Sequence, residues 1–118
     1  MTPEGTEYFE NLDDRGRKNF YMKLRQELAD AIPVSLERIS TNGKFETDSS
    51  IPPVFPKQII LYINIEEDKT KQGRSVNLLI ETLDSLIKNK PITVIAFGET
   101  SRYIEAYGYL IRKNSLLK

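Results

Sequence analysis

Apolar residues recur along this chain with two different periods, and each change of period marks an element. Tyr8, Phe9 and Leu12 form a short apolar face behind Thr2-Pro3-Glu4. A hydroxyl, a first-turn proline and an acid in that order predict a helix start. Phe20, Leu24, Leu28 and Ile32 then recur at four-residue steps, with Ala31 on the same inner face. That spacing predicts a second helix, ended by Pro33. Asp13-Asp14 either caps this helix or interrupts one longer helix that carries Gly16 at a cost of about 1 kcal/mol.

The period then shortens. Residues 34–41 and 44–48 flank Asn42-Gly43, a strong signal for a two-residue hairpin turn, and predict an edge hairpin. Residues 49–56 hold three prolines, at 52, 53 and 56, and must be extended and irregular. Their apolar content predicts a packed connection within one domain, with a polyproline ligand for a partner module as the alternative. In residues 58–65, Ile59, Leu61, Ile63 and Ile65 alternate with Ile60, Tyr62 and Asn64, as in a central strand covered on both faces. Val76, Leu79, Ile80, Leu83, Leu86 and Ile87 return to the helical spacing, with Ser75 as N-cap and Pro91 beyond the end. Residues 92–97 form a second apolar strand, and Gly98 allows a turn. Thr100 or Ser101 can cap a last helix whose stripe is Tyr103, Ile104, Tyr107, Leu110 and Ile111.

A strand, a crossover helix and a strand make a βαβ unit with parallel strands and a right-handed crossover. The expected fold is α/β, with α+β as the alternative. It is a small single domain over 1–118 with a mixed sheet. An N-terminal helical region (1–33) precedes the hairpin and proline-rich connection (34–57) and a central βαβα core (58–114).

Composition changes this picture mainly by exclusion. The chain has 118 residues, no cysteine and no histidine. That removes thiol nucleophiles, cysteine–histidine zinc sites and histidine as general base. No apolar run approaches the roughly 18 residues that span a bilayer, and the N-terminus is charged rather than signal-like. The expectation is an intracellular protein, cytoplasmic or nuclear, with no membrane partner. The formal net charge is zero, which argues against a sequence-blind polyanion coat. The first 56 residues carry seven Lys+Arg against ten Asp+Glu, and the remainder ten against seven. Any anion-facing surface is therefore expected in the second half. The cluster Arg15, Arg17, Lys18, Lys23 and Arg25 spreads around its helix and reads as solvated surface.

Candidate chemistry is sparse. The loop DKTKQGRS follows a strand and opens a helix, but a P-loop needs glycine where Asp68 stands, and Arg74 occupies the lysine position. What remains is a loop in which Lys69, Lys71 and Arg74 could hold one backbone phosphate. Glu66, Glu67 and Asp68 could bind Mg²⁺ or act as an acid–base pair, with a solvated loop as the plain reading. No recognisable catalytic arrangement and no cofactor emerges. Tyr103, Tyr107 and Tyr109 interleave with Arg102, Arg112 and Lys113 in the last predicted helix. This mixture suits stacking on single-stranded nucleic acid, a protein interface, or plain core packing.

The block from Lys71 to Asn114 resembles the Alba family of small nucleic-acid-binding proteins, which includes subunits of the RNase P and RNase MRP ribonucleoproteins. The residues that carry the resemblance are the basic loop before Val76-Asn77, the apolar strand ending in Gly98, and a helix with Ala106, Leu110 and Arg112-Lys113-Asn114. The resemblance implies a dimerising protein that contacts RNA or DNA through Lys69, Lys71 and Arg74, with Arg102 near the second helix start. Glu99 departs from it, standing where archaeal members place a basic residue.

Two functions are thus expected from the sequence. One is a non-catalytic RNA-binding or ribonucleoprotein-assembly subunit, acting through the basic loop and the last helix. The other is a protein-interaction subunit of a homo- or hetero-oligomer, docking through the tyrosine-bearing helix (Tyr103, Tyr107, Tyr109) or the edge hairpin.

Overall fold

Local chemistry sets the first two helices. The computed structural model describes residues 1–68, 73, 75–90 and 98–105, and within them helices and small antiparallel sheets combine in a mixed α+β arrangement. Helix α1 (Pro3–Glu10) starts where the Thr2 hydroxyl accepts from the Gly5 N–H at 3.1 Å. Helix α2 (Asp14–Ala31) starts afresh, because the Asp13 carboxylate accepts from the Gly16 N–H at 2.7 Å. Each cap satisfies a donor the first turn would otherwise leave open. Two helices, not one interrupted helix, therefore precede Pro33.

The helices meet through aromatic rings. Phe9 is fully buried and lies edge-on to Phe20 at 5.3 Å and to Tyr21 at 5.7 Å, the geometry that ring quadrupoles favour. Leu24, Leu28, Ile59 and Ile87 complete this core, and a second cluster joins Ala29, Ile32, Ile39 and Leu79. Each large side chain buried this way contributes about 1.5–3 kcal/mol.

Strands β1 (Ile39–Ser40) and β2 (Phe45–Thr47) pair antiparallel with β4 (Asn64–Ile65) and β3 (Ile59–Leu61) respectively. Ile39 faces Ile65, and Phe45 faces Leu61. The two sheets are thus two lengths of one ribbon, in which residues 41–44 stand opposite 62–63. This corrects the expected hairpin at Asn42-Gly43. Gly43 does take positive φ, +76°, but it lies inside one edge of the ribbon, in a bulge rather than a reversal. The Thr41 hydroxyl accepts from the Gly43 N–H at 3.1 Å and donates to the Tyr62 carbonyl at 2.9 Å. Those bonds replace the missing ladder bonds. The reversal falls instead in residues 48–58.

Ile59 is buried, and Leu61, Ile63 and Ile65 pack against the two core clusters, so the expected inner face holds. Ile60, Tyr62 and Asn64 are only half-buried and join neither cluster. The central strand expected over 58–65 is, among the described residues, one edge of a ribbon with helices behind a single face. At Ile59 the N–H donates to the Thr6 hydroxyl and the carbonyl accepts from the Met1 amino group, both at 3.0 Å. The chain terminus and the start of α1 thereby cover that stretch of edge.

Helix α3 (Val76–Lys88) begins as expected, with the Ser75 hydroxyl accepting from the Leu78 N–H at 3.2 Å. Its Leu79 and Ile87 are buried. The strand expected over 92–97, and the part of the last helix beyond 105, lie outside the described residues. Where that helix was expected to begin, Ser101–Tyr103 form one 3₁₀ turn and Ile104 is extended. The Glu27 carboxylate of α2 accepts from the Thr100 N–H and the Ser101 N–H, each at 2.9 Å, and from the Thr100 hydroxyl. A carboxylate from another element thus satisfies N–H donors that have no partner within the turn, and the Thr100 hydroxyl, engaged by Glu27, makes no capping bond.

Candidate functional site

The far end of the ribbon holds Val54, the most exposed of the large apolar side chains among the described residues, with the exposed Phe55 beside it. The last ladder bond runs from the Asp48 N–H to the Gln58 carbonyl at 2.9 Å, and residues 49–57 close the loop beyond it through two successive turns. In the first, the Ile51 N–H donates to the Asp48 carbonyl at 3.3 Å. The Asp48 carboxylate also accepts from the Ser50 N–H at 2.9 Å and the Ser50 hydroxyl at 2.6 Å. These two bonds hold its pKa below the ordinary carboxylate value. In the second turn the Phe55 N–H donates to the Pro52 carbonyl at 3.0 Å. Pro53 sits where a β-turn favours proline, and Val54 is at the tip.

Val54 is 85% exposed and Phe55 60% exposed. The expected packed connection is therefore overturned: residues 52–57 are all exposed, and only Ile51 is half-buried. A polyproline helix makes no internal hydrogen bonds, so the Pro52–Phe55 turn also departs from a simple polyproline ligand. The sequence offered one signal for this site, a Val-Phe pair enclosed by prolines and belonging to neither apolar period.

Of the residues singled out from the sequence, Lys69, Lys71, Arg74, Tyr107, Tyr109, Arg112 and Lys113 lie outside the described residues. Arg102 and Tyr103 are described and adjacent. Arg102 is exposed, with its guanidinium 5.4 Å from the Tyr103 ring centroid. Tyr103 is half-buried and stacks on Tyr8 at 5.5 Å with the planes 29° apart. Tyr8, which the sequence placed only in a helix face, is 48% exposed. Gly5 lets Tyr103 approach α1, since a Cβ there would stand 2.5 Å from the Tyr103 Cβ. Glu99 pairs with Lys23 of α2, which lowers the carboxyl pKa and raises that of the amine.

The described part of the loop before α3 is occupied by its own side chains. Asp68 accepts from the Gly73 N–H at 2.6 Å, taking a backbone donor that a phosphate would need. The buried Arg38 side chain donates through Nε to the Glu66 carbonyl, and the Glu66 N–H donates to the Arg38 carbonyl, both at 2.7 Å. This reciprocal pair fixes the end of β4. Among the described residues no group of three or more acidic side chains is placed to hold a metal ion. No helix among them is long and apolar enough to cross a membrane.

No family model, no curated protein and no solved structure matches the chain.

Proposed function

We propose that the chain is a protein-interaction subunit that docks a partner through the tip of its β-ribbon. The observation that carries this reading is the exposure of Val54 and Phe55 on a loop ordered by its own turns. A solvated loop needs no such pair, whereas a rigid aromatic–aliphatic tip supplies contact area at small entropic cost. Affinity purification of the wild type beside a Val54→Ser/Phe55→Ser double variant tests it. Stoichiometric co-purifying proteins should be lost from the variant. An identical set from both would sink the reading.

A second reading has its own support. Arg102, Tyr103 and the exposed Tyr8 form a continuous guanidinium–aromatic stack, a surface on which unpaired bases can stack. With the Alba resemblance and the basic residues Lys69, Lys71 and Arg74, it supports single-stranded RNA binding. Fluorescence anisotropy across a salt series should give an affinity that falls with salt and drops on Tyr8→Ala. No binding even at low salt would remove this alternative.

A further inference from the structure

The loop tip is convex, small and electrically silent, and those three properties restrict what can cover it. Residues 49–56 contain no charged side chain. The flanking charges are engaged: Asp48 folds back onto Ser50, and Lys57 pairs with Glu10 of α1 at 2.6 Å. Two side chains supply at most a few hundred Å², within reach of a transient contact but far below the roughly 1,000 Å² or more that each side of an obligate homodimer contributes. Two convex tips meeting would bury still less, so a second copy is a poor occupant. An anionic lipid surface asks for a basic rim. Here Lys57 and Glu10 pair with each other, and the remaining ribbon charges near the tip, Glu46 and Asp48 against Lys44, make no basic rim.

We infer that Val54 and Phe55 form a preorganised knob that enters an uncharged, apolar, concave pocket of a different protein. This rests on the protein-docking reading and adds its mode. The turns at 48–51 and 52–55 fix the backbone before contact. Pro53 and Asp48 therefore act as positioning residues, raising affinity without contacting the pocket. With no charge at the contact, the association is insensitive to salt.

The test is photo-crosslinking of the full chain in its native cells, with benzoylphenylalanine replacing Val54. The captured protein is then purified and titrated against the unlabelled chain. Phe55→Ala should weaken binding at least about 30-fold, as loss of a hot-spot side chain does. Pro53→Gly should weaken it about two- to fivefold through the freer unbound loop. Raising NaCl from about 0.1 M to about 1 M should leave affinity unchanged or slightly higher. Unchanged circular dichroism and melting temperature show that the variants are folded. Crosslinks only to itself, to lipid, or to nothing overturn both the docking reading and the knob. A captured partner whose binding collapses in salt, or ignores Phe55→Ala and Pro53→Gly, overturns the knob and leaves docking standing.

Discussion

The two ends of the ribbon share a backbone pairing and differ in almost everything else. At the base, Ile39 is fully buried against α2 and α3, in the cluster of Ala29, Ile32 and Leu79. Towards the tip, Phe45, Glu46 and Thr47 are all exposed, although the Phe45 ring still meets Phe9 edge-on at 5.0 Å. The β-branched and aromatic residues of both lengths have similar strand preference. What differs is how far the helices cover the outer strand: Ile39 is enclosed, whereas Phe45 keeps only an edge contact with Phe9. Strand character is therefore a weak guide to which residues carry stability, and packing context decides.

Substitutions can break this contrast. Ile39→Ala should cost about 2–5 kcal/mol, as a buried side chain that leaves a cavity does. Urea unfolding would measure it as a lower midpoint. A cost below about 1 kcal/mol would mean that the base is no more tightly held than the tip.

The next effect concerns the joint between the two ends. The buried Tyr21 hydroxyl donates to the Lys44 carbonyl at 2.9 Å, and burial raises its pKa to about 12, with Arg17 acting in the opposite direction. A raised tyrosine pKa contributes stability that is fully present below the ordinary value of 10.0 and is lost as pH climbs through about 12. The linked change is at most about 2–3 kcal/mol across that window, and solvent screening reduces it. Melting temperature against pH should fall there in the wild type, with a shallower fall in Tyr21→Phe.

Gly43→Ala, at φ +76° with open space where a Cβ would project, should cost about 1 kcal/mol from backbone strain alone. A neutral result would show that the bulge relaxes without the left-handed residue. Smallest of all, Val54→Ala should change stability by no more than about 0.5 kcal/mol in the same urea experiment. Together with Ile39→Ala, it sets the range of the comparison.

Features governed by neighbours in sequence were legible. The caps at Thr2, Asp13 and Ser75 each join a side chain to an N–H three residues on, and the alternation of Ile59, Leu61, Ile63 and Ile65 marked the inner face. Features decided at long range were not. Asn42-Gly43 suits a tight turn and a bulge equally well, and the pairing of residues 39–47 with 59–65 chose the bulge. Thr100 looks like a helix cap, but its hydroxyl donates to Glu27, 73 residues earlier, and makes no capping bond. The candidate docking site was hidden for a related reason. Apolar residues imply burial only on average, and the one local signal, prolines on both sides of a pair outside either apolar period, does not fix whether Val54 and Phe55 are buried.

The bulge sets a parity rule for insertions and deletions. Residue numbers of paired positions sum to 104 at the base (Ile39 with Ile65) and to 106 beyond it (Phe45 with Leu61). The strand thus carries two extra residues. Because side chains alternate with period two, an even surplus leaves Phe45 on the helix-facing side. Removing two residues from 41–44 would join both lengths into one regular ladder with every face preserved. Removing one would turn Phe45 outward and Glu46 toward Phe9. Natural variation in this segment should accordingly come in pairs.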